Sequence, residues 1–352
     1  MKKLLFVLVF IPYFSFSQKG EGYVIQHRPI QDAQVSQTEV KIDSDFKVAT
    51  INAERNLLAM ANKDNTVVYF NLDENTIVDQ YRLGVWETGR NQYVIYDLSK
   101  ILLVTKNNWL INMYSEGIFF IYVNELNKNQ FISTTRRISD FSIIEDKRYW
   151  TFISYYVLFD DGNYSCEIER DPTPILYWQN EINGTKIKWR EKKHFVPVYN
   201  GSFKSPIRNL EISPNYKLLA FSTDSTSLVL MDISKSKKGI HEEVLKNTYI
   251  KSKIIDLKFV DDKSILLLTD SKLINVSIDG RETQMPIKIE KNVKEIHNNV
   301  ESGEFLVTYP NKIIKYDRLF NSVDSIIVKD KVVLSAFIKN SGEIVAVCNG
   351  SN

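Results

Sequence analysis

One phrase occurs twice in this chain and constrains its fold more than any other feature. Ile51–Leu72 reads INAERNLLAMANKDNTVVYFNL and Ile212–Ile233 reads ISPNYKLLAFSTDSTSLVLMDI, and the two align without a gap. Each copy has two apolar runs separated by a polar tip, which is the pattern of two β-strands joined by a tight turn. A hairpin that recurs far along the same chain is typical of a radial or stacked β architecture.

Weaker copies of the same figure fill the intervals between these two. Their first apolar residues are Ile95, Ile143, Phe259, Ile296 and Phe337. Together with the strong copies they give seven anchors, mostly 37 to 47 residues apart, close to the length of a four-stranded propeller blade. Helical periodicity is nearly absent, and short β-forming runs recur throughout. The sequence therefore predicts an all-β fold, a seven-bladed β-propeller.

Two irregularities refine this prediction. The last copy stops after two strands, and its missing outer strands are expected from the N-terminus, where Tyr23–His27 and Thr38–Ile42 alternate in polarity. Such a shared blade would close the ring and leave no open sheet edge. The third and fourth anchors lie about 70 residues apart, so residues 166–201 hold extra material. That segment is either an inserted hairpin or a degenerate blade, and the alternative fold has eight blades.

The strong copy at Ile212–Ile233 resembles a known family. Ile212–Ala220, followed by Ser222–Ser227 and Met231-Asp232, is similar to the second and third strands of a WD-repeat blade. Asp232 and Asp317 stand where that family has the Asp of its Trp-Asp pair, whereas its Gly-His pair is not visible in any copy. The resemblance implies a β-propeller, and it associates the chain with proteins that serve as interaction platforms.

The N-terminus has the pattern of a secretory signal peptide. Met1-Lys2-Lys3 is basic, residues 4–14 are apolar, and Ser15 and Ser17 suit a cleavage site. Cleavage after Ser17 would leave a signal peptide of residues 1–17 and a single propeller domain of residues 18–352. We therefore expect an exported protein of the periplasm or cell surface, and the Asn-, Lys- and Ile-rich composition suggests a bacterium. No later stretch is long and apolar enough for a transmembrane helix.

The charge balance restricts the class of partner. The formal net charge of +2 falls to about zero when Lys2 and Lys3 are removed. Binding to nucleic acid or to an anionic membrane requires a basic face, so neither is expected. A monomer that binds protein or glycan is the expectation.

No motif supports a catalytic residue, a cofactor site or a metal site. There is no Gly-x-Ser-x-Gly elbow, and the four histidines lie in different repeats without metal-ligand spacing. Cys166 and Cys348 lie far apart in the repeat order, and two buried thiols are favoured over a disulfide. Carboxylates such as Asp160-Asp161 and Asp261-Asp262 lie where β-turns need them.

The extra segment is the predicted place for a partner site. It and its margin contain Tyr177, Trp178, Trp189, Arg190 and Tyr199. Trp, Tyr and Arg are the residue types that most often anchor protein interfaces. The alternative is that these aromatic side chains form the core of an additional sheet.

These observations favour an exported, non-catalytic propeller that acts as a binding scaffold. Two other classes stay open. One is a propeller enzyme, a hydrolase or lyase acting on glycans, with carboxylates and histidines gathered at a central tunnel. The other is an accessory or sensor module of an envelope complex.

Overall fold

The structure is a computed structural model, and it describes part of the chain. The described residues are 6–7, 22–27, 37–42, 45–52, 56–64, 66–82, 85–87, 92–94, 98–103, 109–114, 117–122, 129–133, 138–144, 154–159, 163–169, 195–202, 207–215, 217–223, 226–232, 243–279, 281, 287–338 and 342–349. Within these ranges the chain forms strands and turns only, which confirms the all-β prediction. No helix in them is long and apolar enough to cross a membrane.

The strands of the N-terminal half are short and regular. In chain order they are β1 (Phe6–Val7), β2 (Gly22–His27), β3 (Gln37–Ile42), β4 (Phe46–Asn52), β5 (Leu57–Asn62), β6 (Thr66–Asn71), β7 (Thr76–Arg82), β8 (Val85–Glu87), β9 (Gln92–Val94), β10 (Leu98–Leu103), β11 (Trp109–Tyr114), β12 (Gly117–Tyr122), β13 (Asn129–Ser133), β14 (Ile138–Ile144), β15 (Ser154–Phe159) and β16 (Asn163–Glu169).

The C-terminal half continues in the same way. Its strands are β17 (Phe195–Ser202), β18 (Ile207–Ile212), β19 (Leu218–Thr223), β20 (Ser227–Asp232), β21 (Glu243–Tyr249), β22 (Ile254–Phe259), β23 (Ser264–Thr269), β24 (Lys272–Ser277), β25 (Ile287–Lys288), β26 (Glu295–Asn298), β27 (Phe305–Thr308), β28 (Lys312–Tyr316), β29 (Ser322–Ile327), β30 (Lys331–Phe337) and β31 (Ile344–Asn349).

These strands form seven four-stranded sheets and one three-stranded sheet among the described residues. Six of the four-stranded sheets are consecutive meanders: β4–β7, β10–β13, β14–β17, β18–β21, β22–β25 and β26–β29. The three-stranded sheet has the order β1-β8-β9. All of the strand pairs are antiparallel, as short strands joined by turns require.

The seventh four-stranded sheet joins the two ends of the chain, as the sequence predicted. Its order is β3-β2-β31-β30, and Val24 of β2 lies opposite Val347 of β31. Val24 is only 1% exposed, and it packs in one core cluster with Phe46 and Leu58 of the neighbouring sheet. The N-terminal strands therefore cover an edge that β31 would otherwise present to solvent.

The repeated phrase occupies the same positions in two sheets. Leu58 of β5 lies opposite Phe70 of β6, and Leu219 of β19 lies opposite Met231 of β20. All four side chains are at most 1% exposed. The prediction of a repeated hairpin is confirmed, and both hairpins are the middle strands of a four-stranded sheet because they are apolar on both faces.

Neighbouring sheets meet along their first strands. β14 lies against β18, β18 against β22, β22 against β26, β26 against β30, β30 against β4 and β4 against β10, while β14 also contacts β11. The core clusters lie between sheets: one joins Leu230 of β20 to Leu267 of β23, and another joins Leu306 of β27 to Ala346 of β31. In both places two neighbouring sheets pack face to face.

The predicted extra segment lies between two strands of one sheet. Cys166 of β16 pairs with Tyr199 of β17 in the sheet β14–β17, and residues 170–194 fall outside the described ranges. Cys348 is a fully buried thiol in β31. The burial predicted for Cys166 concerns a side chain that the structure does not describe.

Carboxylates hold several turns, as the sequence predicted. Asp261 accepts hydrogen bonds from the Lys263 backbone N–H at 2.7 Å and from the Ser264 hydroxyl at 2.9 Å. Asp317, one of the two residues at the WD-repeat Asp position, accepts from the backbone N–H groups of Leu319 and Asn321 at 2.9 and 2.8 Å. Side-chain acceptors of this kind satisfy backbone donors that the turn leaves unpaired.

Candidate functional site

The aromatic partner site predicted from sequence lies mostly outside the described residues. Tyr177, Trp178, Trp189 and Arg190 belong to residues 170–194, and only the backbone of Tyr199 is described, in β17. That site stays a prediction. The described residues instead bring together two groups of charged side chains that sequence reasoning missed.

The first group lies on the first strands of three adjacent sheets, and we call it the polar seam. It consists of Glu211 on β18, Asp256 and Lys258 on β22, and Glu295 and His297 on β26. On β22 the alternation of side chains sends Leu257 and Phe259 into a core cluster. The residues of opposite parity, Asp256 and Lys258, therefore lie on the other face of the strand.

One ion pair joins the sheets β18–β21 and β22–β25. The Lys258 Nζ donates to Glu211 Oε2 at 2.9 Å, and both side chains are about one-quarter exposed. Burial raises the pKa of Glu211, and the charge of Lys258 opposes that rise. The pair thus stabilises a contact between sheets only while both partners are present, because either charge alone would remain poorly solvated.

Two hydrogen bonds join the sheets β22–β25 and β26–β29. Asp256 Oδ2 accepts from the Ile296 backbone N–H at 2.9 Å. The side-chain amide of Asn298 donates to the backbone carbonyl of Phe259. The first strands β22 and β26 are thereby fixed relative to each other by side chains that reach across the gap.

The side chains of Glu295 and His297, on β26, have shifted pKa values. Burial, then the charge of Asp256, raises the pKa of Glu295 to about 7, and its Oε1 atom has no hydrogen-bond partner among the described residues. Burial, then the charge of Lys258, lowers the pKa of His297 to about 4. At neutral pH the imidazole is neutral, and its ring lies 6.2 Å from that of Phe337.

The chemistry open to the seam is limited by these contacts. Asp256 is committed to the Ile296 N–H, and Lys258 to Glu211. Across the part of the chain that the structure describes, no group of three or more His, Cys, Asp or Glu side chains is arranged to hold a metal ion. The seam is built mainly to join sheets, although a buried carboxyl of raised pKa beside a second carboxyl is also a feature of acid–base sites.

The second group lines an open cleft of about 1070 Å³, which we call the lysine cleft. Its wall contains Lys47, Lys63, Lys291, Lys294, Lys312, Lys329 and Lys331. The carboxylates among the described residues of this wall are Asp45, Glu290 and Asp330. The cleft therefore carries a local excess of positive charge on a chain whose overall formal net charge is only +2.

Turns from three adjacent sheets build the lysine cleft. They are residues 289–294 before β26, residues 309–312 between β27 and β28, residues 328–331 before β30, and residues 45–47 at the start of β4. The Lys294 ammonium donates to the backbone carbonyl of Val332, so this half-buried side chain crosses from one sheet to the next. Burial, then the charge of Lys331, lowers the pKa of Lys294.

The lysines of the cleft differ in whether a carboxylate neutralises them. Lys312 pairs with Glu290, and Lys63 pairs with Asp45 at 3.0 Å. Lys291, Lys329 and Lys331 are exposed and form no ion pair within the described residues. These three side chains supply exposed charge that no carboxylate neutralises.

Sequence reasoning missed the cleft because its lysines are spread along the chain. Each short run, such as Lys291-Asn292 or Lys329-Asp330-Lys331, is an ordinary solvated turn when read alone. A signal was nevertheless present. Both runs lie just before the first strand of consecutive repeats, and turns at equivalent places in neighbouring blades meet on one face.

Comparisons of the sequence give no relatives: no family model and no curated protein sequence matches the chain. Comparisons of the structure do. The β-propeller domain of Myceliophteria thermophila Cps50 (Swd1) is similar over 87% of this chain and 97% of its own, with 12% identity and a TM-score of 0.59. Chaetomium thermophilum Raptor is similar over 88% of this chain, with 10% identity and a TM-score of 0.58, and this match spans 28% of Raptor. At such low identity the likeness establishes the fold alone, and that fold is a β-propeller.

Proposed function

We propose that this protein is an exported, non-catalytic β-propeller that acts as a binding scaffold, and that it meets its partner at the lysine cleft. The observation that carries the proposal is the contrast between the two charged groups. The cleft is open and holds three exposed, unneutralised lysines. The polar seam is largely engaged in contacts between sheets.

The proposed ring has seven blades, one for each four-stranded sheet, and is closed by β2 and β3. Its support is the sequence of contacts between first strands, together with the sheet β3-β2-β31-β30. A WD-repeat origin is consistent with the resemblance of Ile212–Ile233 and with the similar propeller domain of Cps50 (Swd1). Rigid rings of this type present turns on a fixed frame, which lowers the ordering cost of binding.

Export is tested by the N-terminus of the recovered protein. The full chain is expressed in a bacterium with a secretory pathway, and the protein outside the cytoplasm is sequenced from its N-terminus. A first residue Gln18 supports cleavage after Ser17, which would remove strand β1 from the mature protein. A chain that stays in the cytoplasm and begins at Met1 refutes export.

Binding at the cleft is tested with two matched triple variants of the full chain. In the cleft variant Lys291, Lys329 and Lys331 are changed to Glu; the control changes Lys217, Lys251 and Lys263, exposed lysines outside the cleft wall. Each protein is immobilised and exposed to envelope extract of the source organism. A partner held by the wild type and the control but lost by the cleft variant supports the proposal. Equal retention by all three contradicts it.

A second candidate function is a glycan hydrolase or lyase, and Glu295 is the observation that favours it. Its pKa of about 7, next to the carboxylate of Asp256, is the kind of unequal pair that serves as acid and base in glycoside hydrolysis. Hydrolysis of a polysaccharide panel, abolished by Glu295→Gln, would support the enzyme. If the wild-type protein hydrolyses none of these polysaccharides, the enzyme function is excluded.

A further inference from the structure

The positive charge of the lysine cleft comes from one type of side chain. Among the described residues of its wall, all seven basic side chains are lysines and none is an arginine. Arginine recognises both carboxylate and phosphate in a bidentate manner, whereas lysine acts as a flexible point charge. A wall of separate ammonium groups therefore offers spaced point charges to an anionic chain and requires no bidentate geometry from it.

The two aromatic residues in the described part of the wall do not form a stacking site. Phe46 is 2% exposed and Tyr309 is 3% exposed, so neither ring offers a face to a ligand. Binding of single-stranded nucleic acid depends on such faces for stacking. Their burial leaves the described part of the wall with ammonium groups, side-chain amides and the half-buried Pro310 and Val333 as its contact groups.

The neutral polar groups of the wall suit a peptide backbone. The exposed side chains of Asn292 and Asn311 each present an amide that both donates and accepts hydrogen bonds. A peptide group has the same combination of donor and acceptor. At about 1070 Å³ the open cleft also lies at the upper end of the size of small-molecule sites, which fits an extended segment.

Resting on the proposed binding function, we propose that the lysine cleft receives an extended acidic segment of a partner protein. Carboxylates of that segment lie against Lys291, Lys329 and Lys331, which span the turns before β26 and β30. Lys63 and Lys312 are already neutralised by Asp45 and Glu290 and contribute less. The specificity is for spaced carboxylates along a chain.

The experiment measures binding of a fluorescein-labelled peptide that alternates Glu with Ser to the full chain, by anisotropy at low and moderate salt. We expect saturable binding that weakens as salt screens the contacts. Changing Lys291, Lys329 and Lys331 to Gln should weaken it about ten-fold, because three exposed ion pairs are lost. The same change at Lys217, Lys251 and Lys263 should leave binding within about two-fold.

Competitors separate the acidic peptide from other anions. An unlabelled alternating Glu/Ser peptide should displace the probe, and an alternating Gln/Ser peptide should not. The proposal is overturned if oligogalacturonate or a single-stranded oligonucleotide competes better than the Glu peptide. It is also overturned if the cleft and control variants bind the probe equally well.

The outcome separates this inference from the proposed function. If the Glu peptide fails while a partner in the envelope extract still requires the three lysines, the chemistry assigned to the segment is wrong and the scaffold stands. If neither the peptide nor a partner depends on those lysines, both are wrong.

Discussion

The side chain of Asn349 forms two hydrogen bonds with the backbone of Phe46, which lies 303 positions earlier in the sequence. Its Oδ1 accepts from the Phe46 N–H at 2.8 Å, and its Nδ2 donates to the Phe46 carbonyl. Asn349 ends β31 and Phe46 begins β4, so one amide joins the last strand of the chain to the first strand of the neighbouring sheet.

Asn349→Ala is expected to destabilise the protein because it leaves two partly buried backbone groups unpaired. The free energy of unfolding should fall by roughly 1–3 kcal/mol, as measured by urea denaturation. Asn349→Asp keeps the acceptor and loses the donor, so its loss should be smaller. An Asn349→Ala protein as stable as the wild type would show that this contact does not hold the two sheets together.

The N-terminal strands are expected to be part of the folded domain. Val24→Ala removes apolar volume from the core that β2 shares with the sheet β4–β7, and it should cost about 1–2 kcal/mol. Lys41→Ala, at an exposed position of β3, serves as the control and should stay within about 0.5 kcal/mol of the wild type. Equal effects of the two changes would mean that β2 and β3 do not pack on the propeller.

The ion pair between Lys258 and Glu211 is expected to act as a unit. Lys258→Met leaves the largely buried Glu211 carboxylate without its cation, and removal of that charge raises the pKa of Glu211 further. The loss of unfolding free energy should therefore be larger at pH 8 than at pH 5, and roughly 1–3 kcal/mol at the higher pH. The double variant Glu211→Gln/Lys258→Met should recover much of it. If the double variant were as unstable as Lys258→Met, Glu211 and Lys258 would not be energetically coupled.

Glu295 and His297 are expected to act oppositely on stability as pH changes. The folded pKa of Glu295 lies above its ordinary 4.5, so its stabilising contribution is full below pH 4.5 and is lost as pH rises to about 7. The folded pKa of His297 lies below its ordinary 6.5, so its contribution is full above pH 6.5 and is lost as pH falls through about 4. Between pH 4.5 and 6.5 the free energy of unfolding falls with pH because of Glu295 and rises with pH because of His297, so the two effects cancel in part.

Single variants separate these contributions. In Glu295→Gln only the His297 slope remains, so the free energy of unfolding should rise from pH 4.5 to 6.5 by about 2 kcal/mol more than in the wild type. In His297→Gln only the Glu295 slope remains. The free energy of unfolding of this variant should therefore fall from pH 4.5 to 6.5 by about 2 kcal/mol more than that of the wild type. Urea denaturation at several pH values measures both. Parallel curves for all three proteins would show that neither group titrates abnormally in the folded state.

The repeated apolar runs allowed the all-β fold to be predicted from the sequence. Leu58 and Leu219 lie in aligned phrases, and the structure places them at equivalent points of two hairpins because both strands are buried on both faces. The short last repeat likewise predicted that Val24 and its neighbours would pair with β31. Local patterns of this kind specify strands and their pairing.

Contacts between sheets could not be read in the same way. Glu211 and Lys258 lie 47 positions apart, and nothing near either residue marks the other as its partner. The exposed lysines at 291, 329 and 331 each resemble an ordinary turn residue until the fold brings their turns to one cleft. The extra segment with Trp178 and Trp189 stays a sequence prediction.

The central claim is that a partner binds at the lysine cleft, and site-directed photo-crosslinking tests it most directly. A photoreactive residue replaces Lys329 in one protein and Lys263, an exposed position outside the cleft, in the control. Both are irradiated in cells of the source organism, and crosslinked peptides are sequenced. We predict crosslinks from position 329 to a segment rich in Asp and Glu, and none from position 263. Crosslinks from position 263 alone, or from both positions equally, would contradict the claim.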